Sequence, residues 1–135
     1  MGSIDVIAGQ NATALEYNNL RSDLVLGKRK SGTETDSATI TFDFSDKTKG
    51  SVRTVVLGGD RTLALDNVDV DQIFVIRLVQ PSASAGKTVT WFSTIKWPDG
   101  VEPTLSTDVD VVDSFGFICT GTNEFDGYIV GQNLQ

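Results

Sequence analysis

The chain has no histidine, and its 135 residues include one cysteine and three prolines. Without histidine there is no Ser-His-Asp or Cys-His relay, no HExxH zinc site and no imidazole acid or base. A lone cysteine, Cys119, excludes an intrachain disulfide, a CxxC pair and a cysteine zinc cluster. Any catalysis would fall to carboxylates, Lys or Tyr. No apolar run approaches the roughly 18 residues of a membrane span, and no charged-then-apolar signal peptide opens the chain. The expectation is a protein made and kept in a cytosol. Positive charge is missing from the last part of the chain: residues 97–135 hold seven acids and no base, whereas residues 1–96 hold eleven of each. A net charge of −7 distributed this way repels nucleic acid and anionic membrane, so neither is an expected partner.

What is present fits one folded domain. Apolar residues make up 39% and charged residues 21%, enough for a core and too apolar for a disordered tail. The opening residues contain a short apolar piece, Ile4, Val6 and Ile7, that reads as an arm. Thr13 and Glu16 then have the spacing of a capping box. Tyr17, Leu20 and Leu24 follow at i, i+3 and i+7, which predicts one helix over residues 14–26, ended by Gly27. Lys28, Arg29 and Lys30 form the one basic run, either a solvated turn or a contact for an acidic partner surface. Residues 27–37 are polar and read as a hinge, which places the arm, helix and hinge in 1–37 and a β domain in 38–135.

From Ala38 onward the pattern has period two. Ile40, Phe42 and Phe44 alternate with Thr39, Thr41 and Asp43, a half-buried strand. Further strands are expected at 52–57, 63–65, 73–79, 88–92, 95–97, 114–120 and 125–130. The run from Ile73 to Val79 is nearly continuous in apolar residues, so cover on both faces is expected there. Short strands with Gly, Asn, Asp and Pro turns between them predict an all-β, antiparallel, jelly-roll-like β-sandwich.

Several constellations invite chemistry and do not sustain it. Ser84-Ala85-Gly86-Lys87-Thr88 ends like a phosphate-binding loop, but Pro81 stands where a Gly amide is needed, and a strand follows where a helix should. Asp66, Asp69 and Asp71, and Asp108, Asp110 and Asp113, place carboxylates at alternate positions as calcium sites do. They lack the Gly and Glu of an EF-hand and read as solvated loops, so no metal is assigned. Asn11-Ala12-Thr13 matches a glycosylation sequon, but Thr13 has its use as a cap. Paired acids could cleave glycosidic bonds beside a Trp91–Trp97 platform, yet nothing selects two of the eighteen acids. Both tryptophans read as core or subunit-interface packing, and Cys119 as a small core residue. No catalytic residue and no cofactor is assigned.

Gly86-Lys87-Thr88-Val89-Thr90-Trp91, Ile95-Lys96-Trp97-Pro98-Asp99-Gly100, Pro103-Thr104-Leu105-Ser106-Thr107, and Asp113 with Phe115 and Phe117 together carry a resemblance. Leu57-Gly58-Gly59-Asp60-Arg61-Thr62-Leu63-Ala64-Leu65 and Tyr17-Asn18-Asn19-Leu20-Arg21-Ser22-Asp23 fit it. The chain resembles a β domain of tailed-phage virion proteins, found at tail-fibre ends and in small head-decoration or cementing proteins. The W-x₅-W-P-x-G-x-x-P core is the most specific part. The resemblance implies a non-enzymatic structural protein of the virion, assembling with itself, a trimer favoured. Its further partner would be the major capsid protein lattice or another virion protein. The absence of a long shaft before the β domain favours a decoration protein on the outside of the head, gripped by Ile4, Val6, Ile7, Tyr17, Leu20, Leu24, Lys28, Arg29 and Lys30. The alternative is a receptor-binding module at a tail tip, whose loops 46–50, 82–87 and 120–126 would meet a host glycan or protein.

Overall fold

A computed structural model describes residues 31–46, 48–92 and 94–135. The expected arm, the helix over 14–26 and the basic run Lys28, Arg29 and Lys30 lie outside these residues. Nine strands are described: β1 (Ser31–Thr33), β2 (Thr39–Asp43), β3 (Val52–Val56), β4 (Arg61–Asp66), β5 (Ile73–Val79), β6 (Val89–Thr90), β7 (Thr94–Lys96), β8 (Val112–Gly121) and β9 (Glu124–Leu134). A 3₁₀ turn, Pro98–Gly100, is the one helical piece among the described residues. The all-β class read from the two-residue alternation holds, and inward Ile40 and Phe42 are fully buried as their spacing requires.

Strand direction is where expectation and structure part. The strands form a six-stranded sheet in the order β1-β3-β5-β8-β9-β7 and a three-stranded sheet in the order β2-β4-β6. Only β5–β8 and β8–β9 pair antiparallel; β1–β3, β2–β4, β3–β5, β4–β6 and β7–β9 pair parallel. The antiparallel expectation is therefore corrected to mixed sheets. The cause lies in the connectors. From β1 to β6 each one carries the chain to the opposite sheet, so same-sheet neighbours are two strands apart and run the same way. Ser31 pairs with Val52 and Val52 with Val75, which leaves a whole strand of the other sheet to serve as the crossover that parallel pairing needs. Asn67, Asp71 and Asp110 sit in the connecting turns at φ 57°, 72° and 61°, the left-handed region that Asn and Asp tolerate best.

The core lies between the sheets. Ile40, Phe42 and Leu63 come from the smaller sheet, and Phe74, Ile76, Leu78, Phe115 and Phe117 from the larger. Phe74 packs 4.7 Å from the Phe44 ring and 5.3 Å from that of Phe117. Residues 31–37 are not a free hinge. Ser31–Thr33 extend the larger sheet, and the next residue, Glu34, is buried in an ion pair with Arg53 at 2.6 Å. Backbone propensity made this stretch look like a loop; a pairing with a strand about twenty residues on overrides it.

Candidate interaction surface

In β5 the inward residues are Phe74, Ile76 and Leu78, and the outward residues are Ile73, Val75, Arg77 and Val79. The expectation of cover on both faces fails among the described residues, since Ile73 is 51% exposed and Val75, Arg77 and Val79 are partly so. Strand pairing extends this outer face sideways. One row runs Val56, Val79, Val112 and Leu134; the next but one runs Val52, Val75, Gly116 and Tyr128. Between them lies Thr54, Arg77, Ser114 and Gly131, and beyond the second comes Ile73, Ile118 and Asp126. Val56, Tyr128 and Leu134 are exposed like Ile73. At the centre of these rows Ser114 and Gly116 are buried, and the remaining residues other than Val56, Ile73, Tyr128, Leu134 and Asp126 are partly covered, so the exposed apolar side chains lie around the margin of the face.

Three charges stand within these rows: Arg77, Asp126, and Lys96, which β7 pairs with Asp126. Arg77 donates from Nη1 to Thr54 Oγ1 at 3.4 Å. The ion pairs of the described residues join Lys49 and Arg53 to Glu34 and Arg61 to Asp36, so Arg77 and Asp126 belong to none. Gly116 lies between them on β8, and a Cβ there would collide with the ring of Tyr128, which lies across the glycine.

A second feature is a shallow cleft of about 230 Å³ lined in part by Lys87, Thr88, Trp91, Glu102, Thr104 and Leu105. Two buried side chains fix its walls. Gln80 accepts at Oε1 from the amides of Gly86 (3.1 Å) and Lys87 (2.9 Å), and donates from Nε2 to the carbonyls of Lys87 (2.9 Å) and Ser106 (3.0 Å). Asp113 accepts from the amides of Ser106 (2.7 Å) and Asn133 (2.9 Å) and from Gln132 Nε2 (3.1 Å). Burial pushes the Asp113 carboxyl up, but the Asn133 and Ser106 amides and the Ser106 and Gln132 side chains outweigh it and hold its pKa below the usual range. The phosphate-loop reading of residues 84–88 loses three of its five amides to partners within the fold. Those of Gly86 and Lys87 serve Gln80, and that of Thr88 donates to Asp60 Oδ1 at 2.9 Å.

Trp91 and Trp97 sit together at the edge of the core, half-buried, with ring centroids 5.2 Å apart in an edge-to-face arrangement. Trp91 also meets Phe115 at 5.0 Å, and Trp97 meets Phe117 at 5.8 Å. Of the remaining contact candidates, Ile4, Val6, Ile7, Tyr17, Leu20, Leu24, Lys28, Arg29 and Lys30 lie outside the described residues. No group of three or more acids or Cys arranged to hold a metal is found among the described residues. Sequence reading missed the outer face, although its signal was present: an apolar strand with a polar interruption only at Arg77.

Comparison with family models, with curated proteins and with solved structures finds no match for this chain.

Proposed function

We propose that this chain is a non-enzymatic structural protein that works as a homo-oligomer. More narrowly, it is a decoration or cementing protein on the outside of a tailed-phage head, made in the host cytoplasm and carried in the virion, with three copies the favoured assembly. The observation that carries the first step is the set of exposed apolar side chains on the outer face of the larger sheet, Val56, Ile73, Tyr128 and Leu134, which favours a protein partner over a small substrate. The second step draws on the resemblance around Trp91 and Trp97. The two-sheet core is the part of the fold that fits the jelly-roll-like sandwich that resemblance implies. In this reading the arm, helix and basic run of residues 1–30 grip the capsid lattice, and many identical contacts on that lattice add up to tight attachment. The acid-rich residues 97–135 argue against nucleic acid or an anionic membrane as partner.

The cleft beside Trp91 favours a second reading, a receptor-binding module at a tail tip. An indole flanked by Lys87, Glu102 and Thr104 offers the stacking and hydrogen-bonding groups that a sugar uses. Gold-labelled antibody against the chain, applied to intact virions and viewed by negative stain, separates the two. Label over the head is the expected result; label confined to tail ends transfers the function to receptor recognition, and no label overturns both.

A further inference from the structure

We infer that the cleft beside Trp91 holds one uncharged sugar ring, the terminal pyranose of a host glycan. This names the ligand class of the receptor-binding reading given above and rests on that reading. Both walls of the cleft belong to connectors. One is residues 80–88, between β5 and β6; the other is residues 97–111, between β7 and β8, whose one regular piece is the 3₁₀ turn Pro98–Gly100. Connectors of about 12–15 residues with so little regular structure are uncommon in a compact domain and usually carry function. These two are fixed from within. Gln80 is 3% exposed and uses its whole hydrogen-bonding capacity, two lone pairs and two N–H groups, on the backbone of residues 86, 87 and 106. Asp113, 2% exposed, holds the second wall through the Ser106 amide and, by way of Gln132, the Thr104 carbonyl. Apolar residues would close a core at no loss of stability. A satisfied polar network that grips loop backbone instead fixes where the loops stand. The cleft is therefore formed before a ligand arrives, and little ordering remains to oppose binding.

The lining selects the ligand. Val89, Trp91 and Leu105 give the cleft apolar surface, and Lys87, Glu102 and Thr104 give it polar groups. The side chains of those three and the indole N–H of Trp91 make no hydrogen bond among the described residues, so each is available to a ligand. A pyranose matches this division. Its C–H faces are apolar, and its hydroxyls can donate to Glu102 and accept from Lys87. The volume of about 230 Å³ lies below the roughly 300–1,000 Å³ of a drug-sized pocket, so the cleft suits one ring rather than a chain of them. Charge narrows the class further. Lys87 and Glu102 cancel, and Asp60 lies close enough to Lys87 to feel its charge. With −7 on the whole chain and no base in residues 97–135, a sugar acid would meet net repulsion. A nucleotide is disfavoured on the same ground, and its phosphate would find the amides of residues 86–88 already engaged.

The test is a titration of the full-length chain, followed by tryptophan emission and by ligand-observed NMR. The probes are the methyl glycosides of glucose, galactose, mannose and N-acetylglucosamine, with glucuronic acid and N-acetylneuraminic acid as acidic counterparts. At least one neutral glycoside is expected to bind with a dissociation constant on the order of 1 mM, as one ring of about a dozen heavy atoms allows. The acidic sugars should bind more weakly. Glu102 and Thr104 are exposed, so substitution there spares the core. Glu102→Ala should weaken binding about tenfold, the loss of a hydrogen bond to a charged group. Thr104→Trp, which fills the cleft, should abolish it, and circular dichroism should be unchanged in both. Absence of binding by every neutral glycoside overturns the sugar assignment but leaves the receptor-binding reading to a protein receptor, which gold label at tail ends would still support. Binding that neither substitution weakens puts the sugar elsewhere and overturns the cleft. Acidic sugars that bind as well as neutral ones overturn the uncharged class.

Discussion

Arg53 projects inward from β3 and is 1% exposed, an unusual place for a guanidinium. Every nitrogen of its fork has work. Nη1 meets Glu34 Oε2 at 2.6 Å, Nε donates to the Gly50 carbonyl at 2.6 Å, and Nη2 donates to the carbonyls of Asp43 (3.1 Å) and Asp46 (3.3 Å). The charge also lies 4.4 Å from the centroid of the Phe44 ring. The side chain thus pins the turn after β2, the start of β3 and the residue that follows β1 to one point. Arg53→Ala would strand the Glu34 carboxylate with Lys49 alone and leave two turns without their donor. Removing one partner of a buried pair costs about 3–5 kcal/mol, which a urea titration would read as a lowered midpoint. Arg53→Lys should recover little of this, because an ammonium cannot reach the four separated acceptors that the planar fork serves. Lys49 meets the same carboxylate at 3.0 Å but its side chain is 34% exposed, so Lys49→Ala should cost under about 1 kcal/mol. Equal losses from Arg53→Ala and Lys49→Ala would disprove the distinction.

β7 shows how an element of three residues is held in place. Thr94, Ile95 and Lys96 pair parallel with Glu124, Phe125 and Asp126, and Ile95 and Trp97 then press onto the backbone of β9 at Gly127. A Cβ on Gly127 would stand 2.7 Å from Ile95 Cγ2 and 2.9 Å from Trp97 Cζ3, so the glycine is what lets the tryptophan reach Phe115 and Phe117. Gly127→Ala should therefore cost about 1–3 kcal/mol as overpacking does, with a change in tryptophan fluorescence as Trp97 is displaced. An unchanged emission spectrum would show that Trp97 does not depend on this contact. Here sequence reading succeeded and failed for distinct reasons. The position of β5, Ile73–Val79, is written in a nearly continuous apolar run and is read directly from it. Its parallel pairing with β3 is not, because the connector Leu57-Gly58-Gly59-Asp60 has the composition of a hairpin turn yet takes the chain to the other sheet. The locks at Gln80 and Asp113 draw acceptors and donors from residues up to twenty-six apart, and no local pattern foretells them. The outer face was legible as apolar residues and illegible as a surface, since the sequence does not say which side of β5 the core lies on.

At the scale of the whole molecule, the edges of the larger sheet are short, three residues each in β1 and β7, which limits strand-to-strand addition. Its charges make acid the weak side of the fold. Asp43 is held down to about 2, first by the Asn67 amide and then by the Ser45 hydroxyl and backbone N–H. Hydrogen bonds from Arg61 lower Asp36, those from Thr48 lower Asp46, those from Thr88 lower Asp60, and Asp113 is lowered as described. Each folded value lies below the unfolded reference of about 3.9, so the folded state binds fewer protons than the unfolded state in that range. The stability these groups contribute is complete above about pH 5 and is lost as pH falls through about 4 toward 2. With no histidine, no side chain of ordinary pKa changes charge between about pH 5.5 and 7. The denaturant midpoint of the full chain should therefore be flat from about pH 7 to 5.5 and fall steeply below pH 4. Asp43→Asn should make the low-pH fall shallower, because the variant has one carboxylate fewer to protonate. A midpoint that rises on acidification would mean that relief of the −7 net charge outweighs these hydrogen-bonded carboxylates.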